Sequence, residues 1–135
     1  MIKFIEGYNP QVPSWQTCLE NFNQSVLDDE LIKHNCLGFF VSHSAHKIQE
    51  VKNVLNDLNL TEAHLYMNIT LHGGTFGRHN DNIDVFFWQV QGKTKWVFDD
   101  GTEYLLEPGD LIFVPEGVYH NVIPLGPRIG ISMSL

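Results

Sequence analysis

The first half of the chain carries apolar residues at helical spacing. Between residues 44 and 60 they recur every three or four positions, at Ile48, Val51, Val54, Leu55 and Leu58. This spacing is typical of an amphipathic helix with one buried face, and Ser44 is predicted as its N-cap. Residues 14–27 predict a shorter helix, which Ser14 would cap.

The pattern changes near residue 64, where the apolar period becomes two. Leu65, Met67, Ile69 and Leu71 alternate with Tyr66, Asn68, Thr70 and His72. A period of two places successive side chains on opposite faces of a strand. Further short apolar segments, separated by glycines and prolines, predict strands at 36–41, 83–90, 94–99, 103–108, 111–115 and 128–135. Strands of this length and spacing favour an antiparallel barrel or jelly roll.

Length and composition are those of one domain. The chain has 135 residues, of which 43% are hydrophobic and 18% charged. We expect a single domain over residues 1–135, in which 1–63 form a helical and strand extension and 64–135 form the barrel core. The net charge of −8 disfavours a nucleic acid or an anionic membrane as partner, because both would be repelled.

The sequence also predicts where the protein acts. No apolar run approaches the roughly 20 residues needed to cross a bilayer, and the first ten residues lack the basic and apolar regions of a signal peptide. Cys18 and Cys36 do not form a CxxC pair and do not indicate a disulfide framework. We therefore expect a cytoplasmic protein.

One constellation suggests metal chemistry. His79 and Asp81 are two residues apart, so on a strand their side chains would point to the same side. His120 follows an apolar strand and a tight turn, and it is the natural third ligand. Two imidazoles and one carboxylate form a facial triad, which leaves coordination positions open for a cosubstrate and O₂.

The surrounding motifs carry a family resemblance. Gly109, Pro115, Gly117 and His120 form G-(x5)-P-x-G-x-x-H, and the chain here resembles the cupin superfamily, the double-stranded β-helix fold. The first motif has Asp81 where most cupins have a second His. With that change, the segments HND, FFWQVQGKTKW and LEPGDLIFVPEGVYH resemble the JmjC-like group of 2-oxoglutarate-dependent Fe(II) oxygenases. The resemblance covers roughly residues 64–135.

The resemblance implies a fold and an activity. The fold would be mainly β, a cupin jelly roll with the N-terminal helices packed on it. The activity would be that of an oxygenase that uses Fe(II), 2-oxoglutarate as cosubstrate and O₂. His79, Asp81 and His120 would be the metal ligands and the catalytic residues.

The same resemblance, together with strand parity, implies a site for the cosubstrate. In JmjC-like enzymes a cation on the strand after Q-x-x-G commonly holds the far carboxylate of 2-oxoglutarate, and here that position is Thr94. Arg128 on the last strand offers a substitute cation, with the same parity as Ser132. The predicted cosubstrate residues are Tyr66, Asn68, Thr94, Arg128 and Ser134.

Two other functions fit the same sequence. One is a metal-dependent cupin dioxygenase that does not use 2-oxoglutarate, which Thr94 in place of a cation favours. The other is a non-enzymatic cupin that binds a small ligand or a partner protein. The substrate is expected to be a small molecule or a peptide, and a homodimer is one option for the assembly. Four other histidines are interpreted as surface or cap residues, namely His34, His43, His46 and His64, and a pocket role is left open for His72.

Overall fold

The computed structural model describes residues 1–28, 31–32, 38–71 and 75–135, with the backbone alone at 31–32. Its helices are α1 (Trp15–Leu27), a 3₁₀ helix (Ala45–Lys47) and α2 (Gln49–Leu58). Its strands are β1 (Lys3–Ile5), β2 (Leu31–Ile32), β3 (Phe39–Ser42), β4 (Glu62–Asn68), β5 (Val85–Gln91), β6 (Thr94–Phe98), β7 (Glu103–Leu106), β8 (Leu111–Val114), β9 (His120–Pro124) and β10 (Arg128–Ser134).

The strands form two antiparallel sheets. The larger sheet has the order β1-β8-β5-β10-β4-β3-β2, and the smaller sheet has the order β7-β6-β9. Non-consecutive strands therefore lie side by side, as in a jelly roll, and the predicted mainly β fold is confirmed. The N-terminal half contributes more than helices, because β1 pairs with β8 and β3 pairs with β4 inside the larger sheet.

The alternating strand residues divide the apolar side chains between two cores. One face of the larger sheet packs under the helices, where Val51, Val54 and Leu55 of α2 join Leu65 and Ile131 in one cluster. The opposite face looks into the space between the sheets, and its cluster contains Phe87, Trp96, Phe98, Leu106, Ile112, Val114 and Val122. The period of two thus separates a helix-covered face from a barrel interior.

Ser14 caps α1 as predicted, and its Oγ accepts a hydrogen bond from the backbone N of Thr17 at 3.1 Å. The predicted cap at Ser44 is wrong, since α2 begins after Ile48 and the Ser44 side chain caps no helix. The physical reason is a competing partner: the buried Ser44 hydroxyl is hydrogen-bonded to Ser25 and Ser42.

The alternation predicted after residue 64 ends earlier than the sequence pattern suggests. Strand β4 stops at Asn68, and the side chains of Ile69 and Leu71 are 53% and 75% exposed. The strand predicted at 36–41 begins in the structure at Phe39, and residues 36 and 37 lie outside the described residues. Within the described part of the chain, no helix has the length and hydropathy that a bilayer span requires.

The Cys18 thiol is expected to be unreactive in the folded protein. Its side chain is fully buried, and burial, followed by the nearby Glu50 carboxylate, raises its pKa to about 12. Because the thiolate is the nucleophile, iodoacetamide at pH 8 should alkylate Cys18 only after denaturation. Peptide mass spectrometry of native and guanidine-treated samples checks this. Equal labelling of Cys18 in both samples would contradict the buried position.

Candidate metal centre

The metal motif is assembled from two separated segments. His79 and Asp81 both lie in the loop between β4 and β5 and not on a regular strand. His79 makes only an isolated antiparallel bridge with His120, with N···O distances of 2.9 and 2.8 Å in the two directions. The Gly117 N–H donates to the Asp81 carbonyl at 2.8 Å, so residues 79–81 run beside 117–120. This pairing brings the motif residues together without a regular strand.

The three side chains converge on one point. Asp81 Oδ1 lies 3.9 Å from His79 Nε2, and Asp81 Oδ2 lies 3.7 Å from His120 Nε2. One donor atom from each residue lies within 4.8 Å of the other two. Two donors that each bind one ion at about 2.1 Å are separated by at most about 4.2 Å, so the contacts to Asp81 fit a shared ion.

Both imidazoles are oriented by backbone carbonyls. His79 Nδ1 donates to the Gly77 carbonyl at 2.8 Å, and His120 Nδ1 donates to the Val118 carbonyl at 2.9 Å. Because the protonated nitrogen faces a carbonyl, the Nε2 lone pair of each ring is available to a metal. This donor set fits a divalent transition metal of the kind that facial triads hold.

His120 is the more deeply enclosed of the two imidazoles. Its ring is stacked on Trp96, with a centroid distance of 5.3 Å and an interplanar angle of 20°. Burial lowers the pKa of His120 below its ordinary value, which keeps the ring neutral at neutral pH. A neutral imidazole is the form that binds a metal.

The triad opens into a cavity of about 200 Å³ inside the barrel. Strands β4 and β10 supply one wall of this cavity, and apolar side chains from the other strands supply much of the rest. The lining residues on β4 and β10 are Glu62, His64, Tyr66, Arg128, Ser132 and Ser134.

Arg128 is the cation of this cavity. Its side chain is only 1% exposed, and its Nε donates to Asn68 Oδ1 at 2.7 Å. Its Nη1 has no hydrogen-bond partner among the described residues, and the same holds for the buried indole Nε1 of Trp96, which also lines the cavity. Burial lowers the pKa of Arg128 to about 9. A buried guanidinium with an unused donor is suited to an anionic ligand.

The other predicted cosubstrate residues are placed differently. Tyr66 and Ser134 line the cavity, and Asn68 lies behind it as the partner of Arg128. Thr94 is buried, and its hydroxyl donates to Gln89 Oε1 at 2.9 Å. Among the described residues that line the cavity, Thr94 does not occur.

Gln89, the first residue of the Q-x-x-G segment, has a structural role in the turn that follows it. Its Nε2 donates to the carbonyls of Gln91 and Gly92, so the side chain closes the β5–β6 turn while its Oε1 accepts from Thr94. Glu62 and His64 are cavity residues that the sequence argument missed, although they share the parity of Tyr66 on β4. His72 and Gly73 lie outside the described residues.

Gly130 is required where the cavity wall meets Phe87. A Cβ added at Gly130 would lie 1.9 Å from Cζ of Phe87, whose ring packs on Trp96 at 4.9 Å. Gly130→Ala is expected to destabilise the fold by about 1–3 kcal/mol through overpacking, measured by urea denaturation. Adding Phe87→Leu should restore part of the loss, which a double-mutant cycle detects as coupling. Wild-type stability in Gly130→Ala would contradict this contact.

The chain is similar to several known proteins. Residues 66–129 match the cupin domain family. The structure of YcfD, a ribosomal oxygenase from Escherichia coli, in complex with cobalt and 2-oxoglutarate superposes with a TM-score of 0.71 at 17% identity, over 98% of this chain and 47% of that chain. A cupin superfamily protein from Desulfitobacterium hafniense DCB-2 gives a TM-score of 0.56 at 15% identity, over 77% of this chain and 83% of its own.

KdgF from Halomonas sp. gives a TM-score of 0.54 at 19% identity, over 80% of this chain and 91% of its own. No curated protein matches the chain in sequence. The chain spans about half the length of the YcfD structures that it matches. The domain match supports the resemblance of residues 66–129 to the cupin superfamily, and the two sheets have the jelly-roll fold of cupins.

Proposed function

We propose that this chain is an Fe(II)- and 2-oxoglutarate-dependent oxygenase of the JmjC-like group. The observation that carries the proposal is the presence of two complementary features in one cavity, a facial triad and a buried cation with an unused donor. A 2-oxoglutarate molecule has a keto acid end that chelates a metal and a carboxylate at the other end. The fold relationship to YcfD, which was crystallised with cobalt and 2-oxoglutarate, supports the same assignment.

Each residue has a role in this proposal. His79, Asp81 and His120 would hold the iron, and a bound Fe(II) would supply the centre that activates O₂. Arg128 would bind the far carboxylate of 2-oxoglutarate through Nη1 while Asn68 fixes the guanidinium from behind. Tyr66 and Ser134 would add hydroxyl groups along the same wall.

The apolar lining has a chemical role as well. Phe39, Phe87 and Val122 line the cavity beside the polar residues. Their side chains would exclude water, which strengthens the interaction of Arg128 with a carboxylate and protects a reactive oxidant. In the overall reaction, 2-oxoglutarate, O₂ and a C–H substrate would give succinate, CO₂ and the hydroxylated product.

The proposed substrate is a small molecule or a peptide. YcfD is a ribosomal oxygenase, but this chain covers only 47% of that chain. The proposal therefore does not extend to a ribosomal substrate. Action in the cytoplasm, the lack of a nucleic-acid or membrane partner and an assembly as a homodimer stay predictions.

The proposal is tested by measuring both succinate formation and the binding of 2-oxoglutarate. Purified protein loaded with Fe(II) and supplied with 2-oxoglutarate under air should form succinate, even at a low uncoupled rate without substrate. Anaerobic calorimetry with the metal-loaded protein should show binding of 2-oxoglutarate and much weaker binding of pyruvate, which keeps the keto acid but lacks the second carboxylate. Neither succinate nor 2-oxoglutarate binding in a metal-loaded sample would overturn the proposal.

The hydrogen bond of Thr94 favours a second candidate function. Its hydroxyl is bound to Gln89, and the position that carries a cation in JmjC-like enzymes offers none. A metal-dependent cupin dioxygenase, whose anionic substrate itself chelates the iron and reaches Arg128, fits the same cavity. Calorimetry separates the two candidates, because only the first requires 2-oxoglutarate to bind.

A further inference from the structure

A second pair of imidazoles lies at the rim of the barrel. Strand β3 pairs with β4 in the register Phe39↔Asn68 to Ser42↔Leu65. Continued by one residue, this register places His43 opposite His64. Their side chains meet: His43 Nδ1 lies 3.0 Å from His64 Nε2.

Further ligand groups surround this pair. His46 follows His43 in an H-x-x-H arrangement on the 3₁₀ helix, and Glu62 precedes His64 in an E-x-H arrangement on β4. Both residues line the same surface depression as His43 and His64. His46 is also close enough that its charge acts on His64. The rim therefore gathers imidazoles from the residue that follows β3, from the 3₁₀ helix and from β4.

We propose that His43, His64 and His46 form a second site for a divalent transition metal of the Zn²⁺ type, separate from the His79–Asp81–His120 triad. Nitrogen donors bind Zn²⁺ at about 2.0–2.1 Å, so two of them on one ion lie about 3.0–3.4 Å apart. The separation of 3.0 Å between His43 Nδ1 and His64 Nε2 fits that requirement. The ion would lie beside the line that joins the two nitrogens and would replace the hydrogen bond between the rings.

The third ligand requires a side-chain rotation. Among the described residues, only the triad has three donor atoms mutually within 4.8 Å, so the rim site is two-coordinate as it stands. His46 is exposed on a short 3₁₀ helix, and its side chain is free to turn toward the pair. Burial lowers the pKa of His64 below its ordinary value, so its ring is neutral and ready to bind at neutral pH.

The rim site would lie at the mouth of the catalytic cavity. Glu62 and His64 line both that cavity and the surface depression. A three-coordinate ion keeps a position open. The ion would therefore present that position to an anionic group entering the cavity, which gives the site a role in ligand binding beyond a crosslink between β3 and β4.

Zn²⁺ stoichiometry of the purified protein tests the site. Equilibrium dialysis at pH 7.5 with elemental analysis is applied to four forms: the wild type, a rim variant (His43→Ala with His64→Gln), a triad variant (His79→Ala with Asp81→Ala) and their combination. We expect two ions in the wild type, one in each variant and none in the combination. His46→Ala should keep two ions but weaken the second by at least tenfold. Melting in the presence of a chelator controls for folding.

The outcomes separate this inference from the proposed oxygenase function. If the wild type binds one ion that the triad substitutions remove and the rim substitutions do not, the rim site is overturned. If the single ion is lost with the rim substitutions and not with the triad substitutions, the rim site stands and the oxygenase proposal fails. If the wild type binds no ion, both are overturned. An unchanged second affinity in His46→Ala would overturn the assignment of the third ligand.

Discussion

Asp81→Asn is expected to lower turnover to below roughly one-hundredth of the wild-type rate and to remove tight metal binding. Residues that only orient metal ligands already contribute 10–100-fold to affinity or activity, so a direct ligand should contribute more. Asparagine keeps the size of the side chain but removes the negative charge that lies 3.9 and 3.7 Å from the two imidazole nitrogens. The measurements are succinate formation and the rise in melting temperature on addition of Fe(II) or Co²⁺.

Asp84→Asn is the matched control for this variant. Asp84 lies in the same loop, is exposed, and its carboxylate accepts from the Glu116 backbone N–H at 2.9 Å. It is not among the triad ligands, so the metal-induced rise in melting temperature should survive in Asp84→Asn. If Asp81→Asn retains both metal binding and activity, the facial triad is not the metal site and the non-enzymatic cupin becomes the better interpretation.

The metal centre was accessible to sequence reasoning because its signal is local. The spacing of His79 and Asp81 and the turn before His120 are short-range features, and the structure brings all three together. The path of the backbone at His79 could not be predicted from the hydrophobic periodicity. The segment is held by a single bridge to His120 and by the Asp81 carbonyl, and both contacts cross a long stretch of chain.

The wall of the cavity formed by β4 and β10 could be predicted only in part. Parity along β10 placed Arg128 and Ser134 on one face, and both line the cavity. The partner of Thr94 could not be predicted in this way. Strand parity assigns the Thr94 side chain to one face of β6 but does not identify its hydrogen-bond acceptor. That acceptor is Gln89, and its position depends on the tertiary fold.

The rim histidines show a further limit. His43 and His64 are adjacent only because β3 pairs with β4 in one particular register, and a shift of one residue would turn the two side chains to opposite faces. The pattern of a single strand does not contain that register. The interpretation of these residues as surface or cap histidines was therefore natural from sequence, and the pairing of the strands places the two rings in contact.

Arg128→Met is expected to remove most of the affinity for 2-oxoglutarate while leaving the metal site in place. Methionine fills a similar volume without a charge or a donor. Loss of one partner of a buried, hydrogen-bonded charge pair costs about 2–5 kcal/mol, which corresponds to roughly 30-fold to several thousand-fold in affinity. Anaerobic calorimetry of wild-type and variant protein loaded with the same metal measures the difference.

Arg128→Met should not lower the stability of the unliganded protein, although it lowers the affinity for 2-oxoglutarate. In the unliganded wild type, Arg128 is a buried cation whose Nη1 has no partner among the described residues. A buried charge without a compensating partner costs the folded state free energy, and an apolar side chain of similar volume removes that cost. The melting temperature of unliganded Arg128→Met should therefore equal or exceed that of the wild type, and only the rise on adding 2-oxoglutarate should disappear. A simple folding defect would instead lower both values.

Lys95→Met is the control that identifies the anchoring strand. Lys95 lies on β6, the strand that carries the anchor in JmjC-like enzymes, but its Nζ is 3.8 Å from Glu103 Oε2 on the neighbouring strand β7. If the anchor has moved to β10, Lys95→Met binds 2-oxoglutarate like the wild type while Arg128→Met does not. If instead Lys95→Met loses 2-oxoglutarate binding and Arg128→Met keeps it, the anchoring residue lies on β6. Arg128 would then bind a different anion, because its unused Nη1 donor still requires a partner.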